Sequence, residues 1–84
     1  MPAEKSHAEI LKAMAHELDG SAGAAEERAK MHDRNAATQP TDARRQEHVL
    51  AAGRARDAAT FYRRRQQALL DGARLLEASE RSAA

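Results

Sequence analysis

Ala36-Ala37-Thr38-Gln39-Pro40-Thr41 decides the fold of this 84-residue chain. On either side of this stretch, residues whose numbers sum to about 80 carry matched side chains. Near the turn small faces small: Ala29 with Ala51, Ala25 with Ala55, Ala22 with Ala58. Farther out large faces large, Leu18 with Tyr62 and Leu11 with Leu69. An antiparallel helical hairpin needs this matching, because each layer of its seam takes one side chain from each helix. The predicted fold is all-α, with a first helix over about 6–36, a turn over about 37–41 and a second helix over about 41–79, in one domain.

Upstream of the turn, Ser6-His7-Ala8-Glu9 is a capping box just before Ile10 and Leu11. Ile10, Leu11, Met14, Leu18, Ala25, Ala29 and Ala36 then fall within one arc of about 100° on a helix. Gly20 and Gly23 interrupt it, each costing roughly 1 kcal/mol relative to alanine. They imply a kink or a break, and a break makes the alternative fold a three-helix monomer with helix 1 broken at Gly20–Gly23.

Downstream, Pro40 suits the first turn of the second helix with Thr38 or Gln39 as its cap, while Thr41 is a competing cap followed by Asp42. The second helix carries a principal stripe of Ala51, Ala55, Ala58, Tyr62, Leu69, Ala73 and Leu76. Leu50, Phe61, Ala68 and Leu75 form a second stripe roughly 80–100° round the helix. Two stripes imply two neighbours. The second pairs at a sum of 81 (Met31 with Leu50, Gly20 with Phe61, Ala13 with Ala68), so two hairpins are expected to dimerise into a four-helix bundle, with Gly20 leaving room for the Phe61 ring. Leu18, Leu50, Phe61, Tyr62, Leu69, Leu75 and Leu76 are the expected assembly and protein-binding residues.

Composition agrees with a thin fold that must associate. Of the residues counted as hydrophobic, 42% of the chain, 21 are alanine, against seven leucines, three methionines, one isoleucine, one valine, one phenylalanine and one tyrosine. Two such helices cannot enclose a core, so their apolar faces must be buried elsewhere. Residues 1–40 hold five Lys/Arg and seven Asp/Glu, and residues 41–84 hold nine and six, which suits antiparallel neighbours of opposite sign. The chain has no cysteine, hence no disulfide, thiolate metal site or cysteine nucleophile. No apolar run has the length of a membrane span, so a cytoplasmic protein that makes no membrane contact is expected. The preference for arginine over lysine, 11 to 3, is that of a GC-rich bacterial or phage genome.

Three patterns could carry chemistry. Arg45, Arg56, Arg63, Arg74 and Arg81 lie within about 20° of one another on an ideal helix, a ridge of about 54 Å supplemented by Arg64 and Arg65. It runs opposite the apolar arc and could track phosphates. Asp57, Asp71, Glu77 and Glu80 are interspersed with it, however, and a solvated outer face explains it as well. His32 and His48 sum to 80 and face one another just inside the turn, beside Asp33 and Glu47, a donor set suited to Zn²⁺. Glu4-x-x-His7, with Glu77 nearby, is half of a carboxylate-bridged di-metal signature.

There is no Gly-rich phosphate loop, nucleophile elbow or His-Glu-x-x-His motif, and alanine-lined helices offer no concave pocket. The expected protein is therefore not an enzyme and takes no cofactor. It is a small helical interaction protein, an adaptor, inhibitor or regulatory subunit, that forms a homodimer and binds another protein. The alternatives are a nucleic-acid-binding dimer using the Arg ridge and a metal-binding bundle using His32 and His48.

Overall fold

The structure, a computed structural model, describes residues 4–83. Two helices pack as an antiparallel hairpin: α1, His7–Thr38, and α2, Asp42–Ala83. Ser6 caps α1 from an extended conformation, its Oγ accepting from the Glu9 N–H at 3.2 Å. Such a cap satisfies one of the donors that a helix start leaves free. At the other end Thr38 Oγ1 donates to the Asn35 carbonyl at 3.1 Å, and Gln39 turns extended, the conformation that a following proline favours.

Thr41 settles the competition for the second cap. Its Oγ1 accepts from the Arg44 N–H at 3.3 Å and its carbonyl accepts from the Arg45 N–H at 3.0 Å. Pro40 therefore lies in the link before the helix rather than in its first turn. Asp42 in the first turn and Arg81 in the last match the signs of the helix ends.

The break at Gly20–Gly23 that the three-helix alternative requires does not occur. α1 runs unbroken through both glycines, and no glycine has positive φ. The physical reason is visible in their neighbours: Ala22 and Ala25 are fully buried against α2, and a break would withdraw both from the seam. The three-helix alternative falls with it.

The seam repeats every seven residues. In α1, Ala8, Ala15, Ala22 and Ala29 are buried, and Leu11, Leu18, Ala25 and His32, three positions on from each, are buried or half-buried. In α2 the corresponding columns are Ala52, Ala59, Gln66, Ala73 and His48, Ala55, Tyr62, Leu69, Leu76, again buried or half-buried throughout. A seven-residue repeat is the signature of helices wound round one another, because it keeps one stripe facing the partner along the whole length. Ala25 with Ala55 keeps the sum of 80. The pairs Ala29–Ala51 and Ala22–Ala58 shift by one residue, since Ala52 and Ala59 are buried while Ala51 and Ala58 are half-buried.

Among the described residues every buried residue is an alanine, and no large side chain is fully buried. Gly72 shows how tight the far end is: a Cβ there would sit 3.3 Å from Leu11 Cδ1. The result is a rod of 65 × 26 × 12 Å.

Candidate interaction surfaces

Residues seven apart occupy one edge of the rod, and the two edges differ sharply. On one edge Lys12, Asp19, Glu26 and Asp33 follow one another along α1 at seven-residue intervals, next to the buried alanine column. They meet Arg56, Arg63 and Glu77 of α2, which share the corresponding column there. Lys12 pairs with Glu77, Asp33 with Arg56, and Asp19 with Arg63. Arg63 also reaches Glu26 at 2.6 Å and Gln66 Oε1 at 3.1 Å.

Hydrogen bonding from Arg63, and then its charge, holds the Asp19 carboxyl below the usual carboxylate range. The same contacts with Asp19 and Glu26 raise the Arg63 guanidinium. Lys12 acts likewise on Glu77, chiefly through a hydrogen bond, and lowers it.

A groove of about 590 Å³ lies on this edge over Ala29 and Ala59. Its walls are the Asp33–Arg56 and Glu26–Arg63 pairs with Lys30 and Arg64, and its one hydroxyl is that of Thr60. The charges that line it are largely matched to one another, which leaves little to recognise a charged ligand.

The opposite edge has no interhelix ion pair among the described residues. Met14, Ser21 and Arg28 of α1 share this edge with Ala51, Ala58, Arg65 and Gly72 of α2, and a groove of about 220 Å³ is lined by Met14, Glu17, Leu18, Ser21, Arg65 and Leu69. Ile10, Ala24 and Met31 flank this edge on α1, and Phe61, Ala68 and Leu75 flank it on α2. Its large side chains are exposed: Phe61 is 59% and Leu75 73% accessible, with Ile10, Met14 and Met31 between 40% and 45%. Phe61 meets its neighbour Tyr62 edge-on, at 5.8 Å between ring centroids.

The structure thus divides the expected assembly residues. Leu18, Tyr62, Leu69 and Leu76 are half-buried in the seam, while Leu50, Phe61 and Leu75 stand outside it. Gly20 is exposed, with open space where a side chain would be.

The Arg ridge is also divided. Arg56 and Arg63 turn toward α1 and not away from it, Arg45 pairs with Asp42 at 2.9 Å, and Arg74 lies 3.7 Å from Asp71. Arg81 and Arg64 are exposed, Arg64 lining the larger groove. The interhelix pairs gave a sequence signal that a 3.6-residue wheel hides: charged residues seven apart, of opposite sign on the two halves.

His32 and His48 meet as expected. Their Nδ1 atoms are 3.1 Å apart and the rings are tilted 37°. One ring donates Nδ1–H and the other accepts, which closes the turn end of the seam. Asp33 beside them is held by Arg56, and no group of three or more His, Cys, Asp or Glu that could hold a metal ion occurs among the described residues. Glu4 and His7 are exposed at the start of α1, and Glu77 is taken by Lys12, so that candidate metal centre is not assembled either.

These features define an antiparallel two-helix coiled coil with one charged edge and one apolar edge. Among the described residues no helix is long and apolar enough to cross a membrane. No protein-family model, curated protein or solved structure matches the chain.

Proposed function

We propose that the protein is a non-enzymatic helical interaction protein that works by binding another protein chain along its apolar edge. One observation carries this reading: among the described residues only alanines are buried, with leucines and Tyr62 half-buried in the seam, while five of the larger apolar side chains line up outside it on one edge. Covering Phe61 or Leu75 fully is worth about 1.5–3 kcal/mol each. An apolar helical face of this kind suits a partner helix or groove.

The competing reading, a nucleic-acid binder, draws on the arginines of α2. Four of the five in the ridge lie against carboxylates, which compensates their charge locally. Photo-crosslinking separates the two. A crosslinking residue at Leu75 should capture protein, unaffected by nuclease, and one at Arg74 on the outer face should not. Nuclease-sensitive capture, with affinity falling with salt at a slope near −0.9 per phosphate, would establish nucleic-acid binding instead.

A further inference from the structure

We propose that a second copy of the same chain covers the apolar edge, with α1 of each copy running antiparallel to α1 of the other about a twofold axis between Ala22 and Gly23. This rests on the reading of that edge as a binding surface and names its occupant.

A twofold interface must be complementary to itself: if residue i meets residue j, then j meets i. In an antiparallel pairing of α1 with its copy, partners are residues whose numbers have a fixed sum. From Met14 to Met31 the apolar edge satisfies one such sum, 45, while Ile10 at its end falls opposite the partner's Asn35. Met14 meets the partner's Met31, apolar on apolar. Glu17 meets the partner's Arg28, opposite in charge. Ser21 meets the partner's Ala24, and these small residues sit nearest the axis, where the helices must come closest. Each pair occurs twice by symmetry.

Glu17 and Arg28 are both exposed, and neither forms an ion pair within the hairpin among the described residues. The charges on the opposite edge are by contrast matched within the chain, so the free complementarity lies on the apolar side.

The area is sufficient. The broad side of the whole rod is 65 by 26 Å, and an interface of about 800 Å² per partner would take roughly half of that outline. The same axis passes α2 near Ala58, because α1 and α2 residues pair at sums of 80 and 81. α2 residues of the two copies then oppose at sums of about 115–117, so Ala58 meets the partner's Ala58 and the exposed Phe61 ring lies over the partner's Arg54 and the partner's Ala55. α2 joins the interface without setting its register.

Sedimentation equilibrium of the full chain and three variants tests this. The wild type should be a dimer. Glu17→Arg and Arg28→Glu should each weaken association at least tenfold with far-UV circular dichroism unchanged, since each sets two like-charge pairs across the axis. Glu17→Arg combined with Arg28→Glu should restore the dimer, because the pairs reform with signs exchanged. A wild-type chain that stays monomeric at high concentration overturns the proposal. So does a dimer that tolerates both single reversals, since the register is then different. If the chain is monomeric while a crosslinker at Leu75 captures a different protein, the second copy is wrong and the binding edge stands. If it is monomeric and captures nothing, both readings fail.

Discussion

Replacing Gly20 by alanine should stabilise the hairpin by about 0.8–1 kcal/mol, the full difference in helix propensity between the two residues. The magnitude follows from the surroundings: Gly20 is helical and exposed, and a Cβ built there meets nothing within 4 Å, so no steric term opposes the gain. Gly53 offers the same open space on α2 and should gain about as much. Gly72 is the internal control. There the new Cβ would stand 3.3 Å from Leu11 Cδ1, and displacing a leucine from its rotamer costs about 0.5–1.5 kcal/mol, which cancels the propensity gain.

Thermal melts followed by far-UV circular dichroism, at one fixed protein concentration, should show Gly20→Ala and Gly53→Ala each raising Tm by about 4–8 °C. The double variant should be nearly additive, because the two sites share no partner. Gly72→Ala should leave Tm close to the wild type. A Tm lowered by Gly20→Ala would refute the reasoning, since Gly20 would then be either outside the helix or packed against a side chain. A gain at Gly72 equal to that at Gly20 would show a seam looser than the Leu11 contact implies.

Further predictions follow from the seam and its edges. Ala25→Leu should destabilise the fold by about 1–3 kcal/mol despite adding apolar surface, because a fully buried alanine column holds the helices close; denaturant midpoints measure it, and a gain would contradict the alanine seam. Arg63→Ala should raise the Asp19 titration midpoint toward the ordinary carboxylate range, read by NMR. Because the folded Asp19 is depressed, its contribution to stability is present above the unfolded carboxylate pKa and lost as pH falls through the folded one, so this variant should lose less Tm on acidification than the wild type. His48→Ala should destabilise the turn end by about 0.5–1.5 kcal/mol, since it removes the one hydrogen bond between the two rings; an unchanged denaturant midpoint would rule that out.

Much of the fold was legible because its signals are local. Ser6 with Glu9 marks the start of α1, Gln39 and Pro40 end it, and the matched sequence about residue 40 sets His32 against His48. The fate of the glycines was not legible. Propensity assigns Gly20 and Gly23 a cost, but the burial of Ala22 and Ala25 that outweighs it exists only when α2 is in place.

The arginines do not share one face in the wound hairpin, for a geometric reason. A straight helix drifts about 20° per heptad against a seven-residue seam, so over the five heptads from Arg45 to Arg81 a line drawn at 3.6 residues per turn slides about 100° round α2. Residues that share a face on the straight wheel are therefore spread from the seam's edge at Arg56 and Arg63 to the outer face at Arg74.

By itself the sequence determined an all-α hairpin, the position of its turn, the cap of its first helix and the approximate register, since each depends on backbone preferences and on the sizes of side chains matched about the turn. Only the tertiary structure decided that α1 is continuous, that nine alanines form the buried seam, and that one edge is matched in charge while the other is left apolar. Those outcomes depend on the angle at which two wound helices present each side chain to one another, and no single helix specifies that angle.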